Sequence, residues 1–224
     1  MPERELEFQV AGENVLALAE RALFWPRTRT LFVADVHFGK DATFRHALRW
    51  VPPGTTADDI SRLSALVTEY GAERLVILGD TFHSEHAREE DTLRQLQQWR
   101  AQLDACVVLV KGNHDRRAAG VARTMGCDTV EEGHAMPPFF LHHHPLDEPA
   151  EGYALCGHVH PVVVTRGMAR QRLRLRCFWI QKHQCVLPAF GGFTGGHTVT
   201  PSPDDRVILV AGGGVLEAKT RARG

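Results

Sequence analysis

Leu31-Phe32-Val33-Ala34-Asp35-Val36-His37 decides the fold class, because four apolar residues without alternation run straight into a carboxylate and an imidazole. A strand wetted on one face alternates apolar and polar residues, whereas an unbroken apolar run suits a strand covered on both faces. Two later segments repeat the form. Leu75 to Leu78 ends in Gly79-Asp80, and Cys106 to Val110 leads into Gly112-Asn113-His114-Asp115. Between the first two runs, Thr56 is suited to cap a helix whose apolar residues Ile60, Leu63, Leu66 and Val67 keep helical spacing, with Gly71 as its stop. A further helix is expected around residues 88 to 101, so this half reads as strand, helix, strand, helix, strand.

Upstream, the alternation of Leu6, Phe8 and Val10, the turn-like Ala11 to Asn14 and the apolar Val15, Leu16 and Leu18 predict a β-hairpin at a sheet edge. Downstream the helix signals fade. Short apolar strands are expected at Phe139 to Leu141, Tyr153 to Cys156, Val162 to Thr165 and Leu173 to Ile180, and a final pair at Val207 to Val210 and Val215 to Glu217. Residues 191 to 196 form a glycine-rich loop, and the basic tail Lys219 to Arg223 is expected to fray. With no linker or composition shift, residues 1 to 224 read as one α/β domain.

Composition narrows function only slightly. A formal charge of −1 leaves no global cationic field, so nucleic-acid binding, neither required nor excluded, would need a local basic surface. The charged start MPERELEFQV lacks a signal-peptide core and no apolar run spans a bilayer, which predicts a cytoplasmic protein without membrane association. Five cysteines at irregular spacing, with no C-x-x-C pair, suit neither a disulfide framework nor a zinc ribbon and are expected to be reduced and mostly buried. Histidine is the unusual residue, because its 13 copies gather in a few short segments.

Those segments fall where the strands end. Asp35 and His37, then Asp80, then Asn113-His114-Asp115 follow the first three runs, His142-His143-His144 follows Leu141, and Gly157-His158-Val159-His160 follows Cys156. In open α/β sheets, ligand sites collect beyond the carboxyl ends of the strands, where residues distant in sequence meet. Taken singly, each has a plain explanation: an Asp after a strand is usually a turn residue or helix cap, His143 a loop residue, and Asp115 a cap for residues 118 to 125. Five such segments in succession are what that explanation does not cover. Carboxylate, imidazole and amide oxygen without thiolate suit Mn²⁺, Fe or Zn²⁺, and the donor count exceeds one ion. Two ions need a bridging group, a role suited to the solitary carboxylate Asp80.

In order, D-x-H at 35 to 37, G-D at 79 to 80, G-N-H-D at 112 to 115, a later His and G-H-x-H at 157 to 160 resemble the calcineurin-like metallophosphoesterase superfamily. Ala22 to Pro26, Gly39 to Arg45, Pro53 to Thr56 and Leu187 to Gly196 extend the likeness to the DNA ligase-associated metallophosphoesterases, also described as DNA damage response endonucleases. The resemblance implies a four-layer α/β/β/α sandwich with two mixed central sheets, metal motifs within residues 31 to 160 and strands in 162 to 217 completing the second sheet. It also implies phosphodiester hydrolysis with two divalent ions, Mn²⁺ foremost. One ion would be held by Asp35, His37 and His160, the other by Asn113, His143 and His158, with Asp80 between them. The run His142-His143-His144 offers three candidates, and the pattern Leu-x-His-x-Pro over 141 to 145 selects His143.

His114 is then the expected proton donor to the leaving oxygen, oriented by Asp115. Lys40 and Arg45 are candidate phosphate contacts or residues of a solvated loop; in the series Arg166, Arg170, Arg172, Arg174 and Arg176 the last three alternate with Leu173 and Leu175 along one strand face, where a nucleic-acid backbone could lie, the alternative being a solvated face with the leucines in the core. His83 and His86 could rim the pocket, but a plain loop role is the favoured reading. Expected partners are DNA as substrate and a DNA ligase or helicase in a repair setting. Two other readings are a phosphoesterase of nucleotides or other small esters, and a metal-stabilised binding module without catalysis.

Overall fold

The computed structural model describes residues 2–40, 55–115, 120–166, 171–192 and 194–218. The expected hairpin is β1 (Glu5–Val10) with β2 (Glu13–Leu18), and β1 is the edge strand of a seven-stranded sheet. That sheet continues through β3 (Leu23–Trp25), β4 (Thr30–Ala34), β5 (Arg74–Leu78), β6 (Cys106–Val110) and β7 (Asp128–Val130) in sequence order. Pairing is antiparallel up to β4 and parallel from β4 to β7. The three unbroken apolar runs are therefore its adjacent parallel strands. Ala34 pairs with Leu78 and Leu78 with Val110, so the three ends lie level and the residues after them share one edge.

Helices α1 (Thr55–Glu69) and α2 (Glu90–Gln102) supply the crossovers, and Leu63, Leu66, Leu96 and Trp99 pack with Leu31, Val33, Leu75, Ile77 and Leu109. Gly71 ends α1 with φ +56, a left-handed conformation that glycine adopts without a Cβ clash. The short α3 (Val121–Thr124) is capped by Gly120. Asp115 therefore does not cap that helix, which was the plain alternative for it.

The second sheet has nine strands: β8 (His134–Met136), β9 (Phe139–Leu141), β10 (Tyr153–Cys156), β11 (Pro161–Arg166), β12 (Arg172–Ile180), β13 (Gln184–Val186), β14 (His197–Thr198), β15 (Arg206–Ala211) and β16 (Gly214–Ala218). Its main path runs β14-β11-β12-β13-β10-β9-β8, with β15 on β12 and β16 on β15. Strands β9, β10 and β13 are parallel, and Leu141 pairs with Leu155, which levels His143 with Gly157, the residue before His158.

The two mixed sheets face each other through an apolar layer. Trp25 meets Phe139 edge-on at 4.8 Å between ring centroids, and Phe32 and Tyr153 flank Phe139 at 6.3 Å each. Phe139→Ala is expected to destabilise the fold by about 3–5 kcal/mol, because the lost rings' contacts join both sheets and the site cannot collapse around the gap. Urea unfolding measures that loss. On the outer face of the second sheet, Leu146, Val159 and Trp179 pack on Ala154, Cys156 and Val186, and no helix follows α3 among the described residues. No described helix is long and apolar enough to cross a membrane. All five cysteines are free, and Cys156, Cys177 and Cys185 are buried.

Candidate metal centre

Beyond the level strand ends the backbone takes an uncommon conformation. Asp35, His37, Asp80, His158 and His160 have φ of +53, +57, +44, +68 and +50. Left-handed backbone costs a non-glycine residue on the order of 1–3 kcal/mol, and such residues persist where their surroundings over-determine them. Here the surroundings are cross-links between turns. His37 and Phe38 donate their amides to Asp80 and Thr81, His158 donates its amide to Asp35 Oδ2 at 2.9 Å, and His114 donates its amide to Asp80 Oδ1 at 2.9 Å.

Glycines make the close approach possible. A Cβ on Gly79 would lie 2.1 Å from His143 Nδ1, one on Gly112 would lie 2.3 Å from the Asp80 amide nitrogen, and one on Gly157 would lie 2.8 Å from Asp35 Oδ2. Each glycine of the sequence motifs thus stands where the donor group of another turn occupies the space of a side chain.

All seven donor residues singled out in the sequence converge. Asp35, His37 and His160 form one set and Asp35, Asp80 and His143 another, each with donor atoms within 4.8 Å of one another. His143 Nε2 lies 3.0 Å from Asn113 Oδ1 and 3.1 Å from His158 Nδ1. His143 is fully buried, and its Nδ1 lies 3.3 Å from the Leu78 carbonyl. With Nδ1–H donating there, Nε2 keeps a lone pair facing Asn113, His158 and Asp80. His144 also lies within 4.8 Å of His143 and His158. Its Nδ1, however, is taken by Glu132, which also accepts the amides of His143 and His144. His142 contributes to none of these groups.

The donors fit a bound cation. Asp35 Oδ1 and His37 Nδ1 are buried with no hydrogen-bond partner. Two polar atoms left so are costly in a protein interior unless an ion or ligand engages them. Burial first, then the charges of Lys40 and His160, push the His37 imidazole down to about 2, which keeps it neutral. Burial, then His143 and His144, lowers His158 in the same direction. Neutral imidazole is the form that ligates a metal.

The surrounding residues depart from the sequence reading in three places. Asp115 does not orient the His114 ring: its Oδ1 accepts the Phe82 amide and its Oδ2 the Gly112 amide, at 3.0 and 2.9 Å. It fastens two turns together instead, and burial pushes its carboxyl up to about 6. The His114 ring is held by His83, whose carbonyl lies 3.0 Å from Nδ1 and whose own ring stacks on it at 5.7 Å. His83 is thus part of the site rather than a plain loop residue. Its contribution goes through a backbone carbonyl, which no residue pattern announces. Glu132 was equally silent in the sequence.

Lys40 lines a pocket of ≈ 10 Å³ with His37, Asp59, Gly191 and Thr194, against the metal cluster. Arg45 lies outside the described residues, as do Arg170 and the tail from 219. On the opposite flank a cleft of ≈ 1130 Å³ opens beside Asn113, Asp115 and His144.

Buried donors of this kind at the level ends of two facing sheets define a metal-dependent phosphoester hydrolase, and the family comparison agrees. Residues 28–167 match the calcineurin-like phosphoesterase model, and the chain belongs to that family. It is similar to the crystal structure of the nuclease MPE of Pseudomonas putida, at 39% sequence identity and a TM-score of 0.81 over 92% of this chain and 96% of that one. The search of curated proteins gave no match.

Proposed function

We propose that the chain is a dinuclear phosphodiesterase that cuts DNA as an endonuclease. The observation that carries the reading is the convergence of Asp35, His37 and His160 on one side and Asn113, His143 and His158 on the other. Asp80 supports the bridging role because its carboxylate shares a group with Asp35 of the first set and His143 of the second. Oxygen and imidazole donors without thiolate accept Mn²⁺, Fe or Zn²⁺, and the resemblance of the motifs puts Mn²⁺ first. Two such ions, when bound, acidify water and offset the charge that builds on the phosphate oxygens.

The chain's own residues do the rest. The crossed turns fix both donor sets before substrate arrives, which spares reorganisation during reaction. His114, with Nδ1 donating to the His83 carbonyl, presents Nε2 on the Asp80 side, 3.9 Å from Asp80 Oδ2, and is one-third exposed. From there a protonated His114 hands its proton to the leaving oxygen. Asp115 supports this indirectly, by tying the Gly112 turn that precedes His114 to Phe82.

DNA as substrate draws support from the nuclease neighbour. A cytoplasmic repair setting with a ligase or helicase nearby rests on the resemblance of the sequence motifs. The test is turnover of a bis-aryl phosphodiester, a single-stranded oligonucleotide and a plasmid with Mn²⁺. Cleavage of the diester and the oligonucleotide is expected. Diester turnover without DNA cutting would transfer the reading to small phosphate esters, and inactivity on all three would leave a binding module.

A further inference from the structure

Strand β12 leaves the sheet before it ends. Residues Arg176 to Ile180 pair with β15, but Arg172 to Leu175 pair only with Val163 to Arg166 of β11. The β11–β12 ribbon therefore projects with both outer edges unpaired among the described residues. Arg172, Arg174 and Arg176 share one of its faces, because side chains alternate along a strand. The near end of that face is built into the metal site. Arg176 donates to the Ala189 carbonyl at 3.0 Å and to Thr194, while Phe190 and Gly191 donate their amides to Ala34 and Asp35. Arg174 lies beyond that anchored end and is exposed, donating only to the Gly196 carbonyl at 2.7 Å. Arg172 stands further out and exposed.

Charge pairing separates these arginines from many others. Arg4, Arg27, Arg29, Arg62, Arg94 and Arg206 each have a carboxylate within 4.0 Å. Among the described residues, Arg172, Arg174 and Arg176 have none; Arg174 and Arg176 donate instead to carbonyls and a hydroxyl. In a chain of net charge −1, a row of guanidinium groups without a salt-bridge partner is a local field where no global one exists. The opposite face does not tie the ribbon into the core either, since Leu173 is 38% exposed. The row's repeat is about 6.8 Å, two residues of antiparallel strand. Successive phosphates of an extended polynucleotide strand have a comparable separation, and guanidinium binds phosphate through paired N–H donors.

We infer that the arginine face of the β11–β12 ribbon, through Arg172 and Arg174, is a track for the phosphodiester backbone of a polynucleotide strand leading to the metal centre. The inference rests on the phosphodiesterase reading and supplies what that reading lacks, a surface that distinguishes a polymer from a small ester. Arg176 anchors the track to the site and is left unchanged in the test.

The test uses R172A/R174A and a fluorescein-labelled single-stranded oligonucleotide, in DNA and RNA forms. Equilibrium anisotropy in EDTA, where nothing is cut, is expected to show affinity down about tenfold or more, with the slope of log K against log salt smaller by about 1.4 for two lost phosphate contacts. With Mn²⁺, KM for the oligonucleotide is expected to rise while kcat holds, and the melting temperature to stay within a degree or two of wild type, as for exposed side chains. Equal loss on DNA and RNA identifies the backbone as the ligand; loss on one alone overturns a backbone track in favour of sugar recognition. Unchanged affinity and salt slope, or a wild type that binds neither oligonucleotide, also overturns it. Wild-type turnover of the bis-aryl diester keeps this outcome distinct from failure of the metal-centre reading, which would abolish that turnover too.

Discussion

Asp80→Asn is expected to lower turnover on the order of 10³-fold or more, a loss of about 4 kcal/mol in transition-state stabilisation, while the protein folds normally. The substitution keeps size and shape, and its amide oxygen can still accept the His114 amide as Asp80 Oδ1 does. What it removes is one negative charge between the donor sets. Asp35 and Asp80 are buried, with carboxylate oxygens within 4.8 Å. Two like charges so close and so shielded from water repel, and only a cation between them turns the arrangement to advantage. The metal-free variant is therefore expected to melt a few degrees higher than metal-free wild type, and to gain less from added Mn²⁺. Differential scanning fluorimetry with and without Mn²⁺, beside turnover of the bis-aryl diester, reads both effects. A residue with a merely structural role would lose stability along with activity.

Gly79→Ala should do nearly as much damage by adding a single methyl group. The residue sits at φ +72, which already strains any L side chain, and the new Cβ would lie 2.1 Å from Nδ1 and 2.3 Å from Cγ of His143. That ring is fully buried, anchored by the Leu78 carbonyl at Nδ1, with Asn113 and His158 close against Nε2. It has nowhere to retreat without breaking the second donor set. Displacement by about 1 Å is enough to cost on the order of 10² in rate, and the left-handed backbone adds roughly 1–3 kcal/mol of destabilisation. Metal content after dialysis should fall toward one ion per chain, because the three atoms nearest the added Cβ all belong to His143, and Asp35 meets Gly79 only through a backbone hydrogen bond. Retention of two ions and full turnover would show that His143 is not a donor.

Much of this site was legible because the strands that carry it are buried on both faces. Residues 31 to 34, 75 to 78 and 106 to 110 are apolar without interruption, so the polar residue after each run marks both the end of a strand and the edge where the site gathers. His143 was legible by alternation as well as by motif: Phe139 and Leu141 are buried in β9, and His143 continues their side. Strands β3, β7, β8, β13 and β14 were missed because two or three residues are too few to establish a period. Adjacency misled in the case of His114 and Asp115, since neighbouring side chains diverge and Asp115 turns to the amides of Phe82 and Gly112. The leucines of β12 were weighed as core residues, yet Leu173 is exposed because the strand runs past its sheet.

The central claim is that these turns hold two metal ions that drive phosphodiester hydrolysis. Titrating Mn²⁺ back into chelator-stripped protein while following bis-aryl diester turnover tests it most directly. Activity is expected to be absent in chelator and to return with saturation at two ions per chain. Turnover that persists in chelator, or that is complete at one ion, would contradict it.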